Sequence, residues 1–321
     1  MLNFIILNKL FKSIRSRFLQ GWFTMKIGFI GLGRMGYSMC ERMLLHNIEI
    51  VAYNRTEEKT EELSKKGAIK ATSIKELVKK LPKTKIIWIM LPAGVVTDET
   101  IKELLPLLKK DDIIIDGAND FYENAEKHSI LCSKYGINFF DIGVSGGIWG
   151  LKNGYTLMVG GKKEIFKDIE PLCKALAPKK GYNYFGPAGS GHFVKSVHNI
   201  VEYVYLQGLA EGVELLSKFK HPIQLDKATE TWEEASVVRS WLLELTTQAL
   251  RRKDFSQIGT AIGSVTIEEL QATKNAVHAY SPAFDVAVKI RQDKSKNFEL
   301  GKRTIAAVRN EFGGHAVEKK K

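Results

Sequence analysis

A chain of 321 residues with 44% hydrophobic content is long enough for two domains, and its three cysteines, Cys40, Cys132 and Cys173, are widely spaced. With no CxxC pair and no Cys/His cluster, a disulfide framework and structural zinc are excluded and a reducing cytoplasm is expected. The formal net charge of +12 is scattered over segments that also carry Asp and Glu, without an aromatic-basic motif. That pattern speaks against a nucleic-acid partner and for multiply anionic small molecules, which positive fields steer, and no apolar run approaches a membrane span.

Residues 1–24 stand apart: Lys9, Lys12, Arg15 and Arg17 occur with no acidic residue, and Phe4, Leu7, Phe11, Ile14 and Phe18 repeat at helical spacing. Targeting leaders and membrane-surface helices share this pattern. We read it as an upstream start or extension, because Met25 opens the first strand pattern directly. From there short apolar runs alternate with amphipathic segments, which predicts a parallel sheet wrapped by helices. Strands are expected at Lys26–Ile30, Glu49–Tyr53, Lys85–Met90, Asp112–Asp116 and Asn138–Ile142, with helices at 34–46, 57–66, 95–108 and 121–134. A strand at Thr156–Gly160, a helix at 163–176 and a strand at Tyr182–Phe185 follow. Gly186-Pro187-Ala188-Gly189-Ser190-Gly191 then reads as a linker, and helices are expected at 191–219, 225–250 and 285–311.

Gly31-Leu32-Gly33-Arg34-Met35-Gly36 directly follows the first strand and opens the first helix. In that position Gly31 permits the tight turn, Gly33 lets the backbone approach a pyrophosphate, and Gly36 allows close helix–sheet packing. The helix N-terminus offers unpaired N–H groups to the phosphates. The expected fold is therefore an α/β Rossmann-type dinucleotide-binding domain at 25–187, after the extension at 1–24 and before an all-helical domain at 188–321. At the end of the second strand, where an NAD site usually carries Asp or Glu, this chain has Asn54-Arg55-Thr56. A guanidinium with two neutral polar neighbours suits a 2′-phosphate, so NADP is expected, with NAD as the second option. Asn119 ends another strand where ligands gather in open α/β sheets. Ser145, Gly146 and Gly147 can hold a carboxylate through a hydroxyl and exposed backbone N–H groups. Near the end of the chain, Arg309 and His315 flank Gly313-Gly314; the glycines read as a helix terminator.

Lys195, His198, Asn199 and Glu202 fall within one helical stripe about 100° wide. The other side carries Phe193, Val194, Val197, Ile200, Val201 and Val204, so the helix is expected to dock by that side and present the stripe. A stripe of this kind taken alone is more often a solvated helix face than a site. Here an ammonium and a carboxylate two turns apart, with an imidazole and an amide between them, could grip a polyhydroxylated substrate and move its protons.

From Met25 to about Val317 the chain resembles 6-phosphogluconate dehydrogenase in its short bacterial form. The segments that carry the resemblance are GFIGLGRMG, DIIIDGAND, GVSGGIWGLKNGYTLMVGG, GHFVKSVHNIVEY, SVVRSWLLELT and RNEFGGHAV. It implies oxidative decarboxylation of 6-phosphogluconate to ribulose 5-phosphate and CO2, a pentose phosphate pathway step, without a metal. Lys195 is then the general base at the C3 hydroxyl, and Glu202 the acid that protonates C1 of the enediol. Burial of the lysine beside a positive nicotinamide suits it to base duty. Asn119, Ser145, Gly146, Gly147, His198 and Asn199 orient the substrate, with Thr266 retained among the substrate ligands and Tyr203 at the phosphate. The cofactor set extends from the glycine motif and Asn54–Thr56 to Leu91, Pro92, Ala93 and Asn119. The resemblance further implies a cytoplasmic homodimer whose tail enters the neighbouring active site, so that Arg309 and His315 act in trans.

Several positions depart from the family pattern. Ser264 stands where a cationic phosphate ligand is usual, a second family arginine falls at Ala287 with Lys289 and Arg291 nearby, and Trp232-Glu233-Glu234-Ala235 replaces a basic stretch. Ile200 and Val204 stand where glycine is common. Loss of one charge-assisted phosphate contact costs about 1.5–3 kcal/mol. Two other readings therefore stand beside the first: a β-hydroxyacid or sugar-acid dehydrogenase on a non-phosphorylated substrate, and a non-catalytic dinucleotide-binding paralogue. Retention of both Lys195 and Glu202 speaks against the latter.

Overall fold

The computed structural model describes residues 25–263 and 267–320; the extension at 1–24, together with Ser264, Val265, Thr266 and Lys321, lies outside the described residues. Within them the strands are β1 (Lys26–Ile30), β2 (Glu49–Tyr53), β3 (Ile69–Lys70), β4 (Ile86–Ile89), β5 (Ile113–Asp116), β6 (Asn138–Ser145), β7 (Thr156–Gly161) and β8 (Tyr182–Gly186). They form one sheet in the order β3-β2-β1-β4-β5-β6-β7-β8. The chain leaves β1 for β2 on one side and returns to β4 on the other, so a crevice opens at the carboxyl ends of β1 and β4.

Pairing is parallel except between β6 and β7, which run antiparallel from Phe140 opposite Gly161 to Ser145 opposite Thr156. This corrects the expectation of a purely parallel sheet. The connection from Gly146 to Tyr155 is too short for a parallel crossover, which needs about a dozen residues or more. The central strand β4 is buried along its whole length. Trp88 packs with Phe29, Met39 and Phe140 on one face, and Ile87 and Ile89 pack with Leu104 and Ile114 on the other.

Helices α1 (Arg34–Leu45), α2 (Glu57–Ser64), α3 (Ile74–Lys79), α4 (Val95–Leu104), α5 (Tyr122–Ser133), α6 (Gly150–Asn153) and α7 (Lys163–Leu176) accompany the sheet. Helices α8 (Ser190–Ser217), α9 (Leu225–Thr231), α10 (Trp241–Leu250), α11 (Ile267–Ala276), α12 (Pro282–Gln292) and α13 (Glu299–Gly313) form the helical region. Their core joins Leu206 and Ala210 of α8 to Leu245, Ile305 and Val308.

Two expected long helices are each broken, for local reasons. The segment at 225–250 stops after α9 and restarts where the Ser240 hydroxyl accepts the Leu243 N–H at 3.1 Å, an N-cap. The segment at 285–311 breaks at Asp293, whose carboxylate accepts the Ser295 N–H at 2.9 Å and its hydroxyl at 2.7 Å. Such side-chain bonding offers the backbone an alternative to the helix. Lys302 then pins the carbonyls of Asp293 at 2.8 Å and Ser295 at 2.9 Å. Helix α3, absent from the expected elements, is set by an N-cap: Ser73 accepts from Glu76 N at 3.1 Å, and the Glu76 carboxylate reaches back to accept from Thr72 N at 2.6 Å, one residue before the cap.

Candidate active site

The glycine turn works by leaving side chains out. Gly31 has φ +99° and donates its N–H to the Tyr53 carbonyl at 3.0 Å; a Cβ there would lie 2.3 Å from the Met90 carbonyl. A Cβ on Gly36 would lie 2.2 Å from the Gly31 carbonyl, whereas Gly33 has nothing within 4 Å. The turn thus leaves open space beside Gly33 for a pyrophosphate at the start of α1. Asn54 accepts the Leu32 N–H at 2.8 Å and donates to the Thr56 carbonyl and hydroxyl at 2.9 and 2.8 Å. Its amide is therefore engaged in shaping the turn, while Arg55 is exposed and Pro92 and Ala93 are exposed on the β4–α4 loop.

Helix α8 is held against the sheet by a buried carboxylate. Asp141, in the middle of β6, accepts the N–H groups of Gly189 and His192 at 2.8 Å each and so satisfies the start of α8. Glycines allow the close approach: a Cβ on Gly143 would lie 2.4 Å from Lys195 Cβ, and one on Gly191 would lie 2.3 Å from the Asp141 carbonyl. Asn119 bridges β5 to the β6 loop, accepting the Val144 N–H at 3.3 Å.

These elements enclose a cavity of about 600 Å³ lined by Arg34, Met35, Asn119, Ser145, Gly146, Gly147, Lys195, His198, Asn199, Glu202, Tyr203, Arg309 and His315. The expected stripe is therefore gathered in one place. As expected, the polar side faces the cavity; part of the apolar side departs from the expectation, since Val197 is 40% exposed and Val201 is 60% exposed at the cavity wall. Ile200 and Val204 are partly buried against Tyr203, Leu270 and Phe284, as expected of a docked face.

Lys195 is 6% exposed. Burial brings its ammonium down to about 8, against the opposing charges of Glu202 and Glu269. His198 Nδ1 lies 3.4 Å from Lys195 Nζ and 3.2 Å from Asn199 Oδ1, with Nε2 3.3 Å from Ser145 Oγ. Nδ1 serves one neighbour at a time, accepting from Lys195 or donating to Asn199. Burial, then the Lys195 charge, hold His198 down to about 4, so the imidazole is neutral at pH 7. Burial raises the Glu202 carboxyl, while Lys195, Arg309 and Arg291 oppose it. One base and one acid are thus pushed toward each other's range, the pattern of a proton-transfer pair.

Two turns beyond Lys195 on α8, the Tyr203 hydroxyl is buried without a partner. The Arg291 guanidinium lies 3.7 Å over the Tyr203 ring, and its three nitrogens are buried without hydrogen bonds, as is Arg309 Nε. Ala287, where the sequence places a lost arginine, is fully buried in the apolar cluster around Phe284. Arg291, one turn later on α12, is the cation that lies against Tyr203. The sequence singled it out only as a neighbour; its spacing of four from Ala287 was the available signal. Thr266 and Ser264 lie outside the described residues.

The tail closes the cavity. Arg34 donates to the Gly314 carbonyl, Trp149 Nε1 donates to the Glu311 carbonyl at 2.9 Å, and Arg252 holds Asn310 Oδ1 at 2.6 Å. A Cβ on Gly147 would meet the Phe312 carbonyl at 2.0 Å, so the serine-glycine loop and the tail fit only without that side chain. Arg309 and His315 line the cavity of their own chain, where the resemblance implies a neighbour's.

Residues 26–186 match the family profile described as the NAD binding domain of 6-phosphogluconate dehydrogenase, and residues 191–292 match that of its C-terminal domain. The Bacillus subtilis relative YqeC, which carries the name of 6-phosphogluconate dehydrogenases, is 35% identical over 92% of this chain and 100% of its own. An NAD(+)-dependent, decarboxylating 6-phosphogluconate dehydrogenase of Haloferax volcanii is 34% identical over 92% of this chain and 99% of its own. Among solved structures, the Plasmodium falciparum 6-phosphogluconate dehydrogenase, studied with NADP+ and with 6-phosphogluconate, superposes with a TM-score of 0.75 at 29% identity. It covers 83% of this chain and 61% of that one.

Proposed function

The chain belongs to the 6-phosphogluconate dehydrogenase family, and from that premise we propose that it oxidatively decarboxylates 6-phosphogluconate to ribulose 5-phosphate and CO2, reducing NADP with NAD as the alternative. The observation that carries the reading is the convergence in one cavity of a buried Lys195, Glu202, Tyr203 and Arg309, with Arg291 stacked on the Tyr203 ring; Tyr203 Oη, Arg309 Nε and the Arg291 nitrogens have unmade hydrogen bonds. Two buried guanidinium groups without sufficient counter-charge favour a phosphorylated substrate over a neutral sugar end.

Residues 25–187 bind the dinucleotide, which supplies the hydride acceptor when bound; residues 188–321 hold the sugar acid. Lys195 takes the proton from the C3 hydroxyl as C3 is oxidised. The resulting 3-keto acid loses CO2 because its carbonyl accepts the electron pair, and protonated Lys195 returns its proton to that oxygen. Glu202, its carboxyl raised by burial, delivers a proton to C1 of the enediol while Lys195 takes back the proton of the C2 hydroxyl, leaving the ketone. Neutral His198, with Asn199, Asn119 and Ser145, orients the hydroxyl and carboxylate groups, and backbone N–H groups at Gly146 and Gly147 add to the carboxylate site.

The proposal includes a cytoplasmic homodimer. Val197 and Val237 expose apolar surface, joined by Val201 and Trp241 at the cavity wall, that a second copy would cover, and the three cysteines are buried and free. Sedimentation measures the association. Mixed dimers of Lys195→Met and Arg309→Met protomers test tail exchange: activity returns only if the tail crosses between subunits.

The decisive assay incubates the protein with 6-phosphogluconate and NADP or NAD, following reduced cofactor and released CO2. Equal yields of both are expected. Reduction without CO2 would replace the proposal with a simple hydroxyacid oxidation, and binding of NADP without reduction would replace it with a regulatory role.

A further inference from the structure

Behind Lys195, on the side away from the cavity, helix α11 brings a second carboxylate to α8. Glu269 accepts a hydrogen bond at 2.9 Å from the hydroxyl of Ser196, the residue next to Lys195 in the chain. Ser196 is 1% exposed and Glu269 is half-buried, and Glu269 is absent from the cavity lining. The pair therefore has no access to substrate. It lies in a polar pocket with Asp120 and with His192, both of whose ring nitrogens are buried without partners.

The chemistry gives this placement a use. A buried ammonium needs compensating negative charge. Of the carboxylates that act on Lys195, Glu202 changes its own protonation during the proposed reaction, so it is no constant partner. Glu269 takes part in no step. We propose that Glu269, held by Ser196, is a positioning residue that acts on Lys195 as a fixed counter-charge from behind the cavity. The inference rests on Lys195 being the base of the proposed reaction.

The groups that act on Lys195 are Glu202 and His198 on α8 and Glu269 on α11; Asp141 on β6 is committed to the backbone of α8. Arg291 and Arg309 act on Glu202 instead. Glu269 and Glu202 hold the lysine's affinity for its proton up against burial. Glu269→Gln should accordingly let Lys195 lose its proton at lower pH.

The test is the pH profile of kcat/KM for 6-phosphogluconate. In Glu269→Gln the acid limb should move down by about half a pH unit, and Glu269→Asp should move it back toward the native position. Exposed Glu268→Gln should leave it in place. Ser196→Ala, which keeps the carboxylate but loosens it, should give a smaller shift in the same direction. A second readout needs no turnover: the pH at which trinitrobenzenesulfonate labels Lys195, read by peptide mass, should fall in Glu269→Gln. Native turnover with an unmoved limb and unmoved labelling overturns this inference alone. Absence of native turnover overturns the proposed reaction, while the labelling still decides the role of Glu269.

Discussion

At the glycine turn after β1 the chain makes room by omitting side chains, whereas around Lys195 it buries charged groups and leaves some of their hydrogen bonds unmade. The nucleotide end is internally satisfied: Asn54 closes the turn through Leu32 and Thr56, and Gly33 faces open space. The substrate end is not: Tyr203 Oη, Arg309 Nε and the three nitrogens of Arg291 have no partner. A buried donor without an acceptor costs about 1–3 kcal/mol, more if charged, a cost that the proposed phosphorylated substrate would relieve. On the proposed reading, cofactor binding depends on shape and substrate binding on charge. The two ends should respond differently to substitution.

Lys195 separates them most. Lys195→Met should lower kcat by about a thousandfold or more, within the range of general acid–base catalysis, with NADP affinity unchanged in a fluorescence titration. A matching loss of NADP affinity would show that the two ends are not independent. Gly143→Ala should come next. Its Cβ would meet Lys195 Cβ at 2.4 Å and displace the base. A misplacement of about 1 Å can lower the rate about a hundredfold, so kcat should fall by that order while KM for cofactor holds. Arg291→Met removes one cation from the anion site. It should reduce kcat/KM for 6-phosphogluconate by about 10- to 100-fold, and leave any turnover of unphosphorylated gluconate unchanged. An equal loss on both substrates would make Arg291 a packing residue. Activity overall should fall as pH drops below about 8, because the base must be unprotonated and burial, opposed by Glu202 and Glu269, brings Lys195 to about 8. A limb set by His198, near 4, would point to the wrong base.

The nucleotide end was also the more legible in the sequence. Strands Lys26–Ile30 and Glu49–Tyr53 emerge with the expected bounds, since each is an apolar run closed by a glycine or by Asn54. The glycine motif states its own geometry, because only glycine tolerates the turn at Gly31. At the substrate end periodicity identified the Lys195–Glu202 stripe but not that Val197 and Val201 on the apolar side stay exposed, as a helical repeat distinguishes faces without saying what packs on them. The cap from Asp141, 48 positions before Gly189, leaves no trace in local pattern. Arg291 against Tyr203 is likewise a contact between α12 and α8 that only the packing creates. The broken helix at Asp293 was obscured because the residues on both sides keep a helical repeat through the turn.

The smallest expected effect concerns which dinucleotide the shape-based end prefers. Asn54 is already committed to Leu32 and Thr56, so it is poorly placed to discriminate at the ribose. That leaves Arg55, exposed at the end of β2, as the group available to a 2′-phosphate. Being solvated, its charge is screened, and a surface ion pair contributes about 1 kcal/mol or less, though a charge-assisted contact to phosphate reaches further. Arg55→Gln should therefore shift the ratio of kcat/KM for NADP over NAD by roughly tenfold, with most of the change in KM for NADP. Because the effect is electrostatic and exposed, it should shrink as salt is raised from about 0.01 to about 1 M, over which the Debye length falls from about 30 to about 3 Å. A ratio that neither changes with the substitution nor with salt would move the choice of dinucleotide away from Arg55, and with it the assignment of NADP.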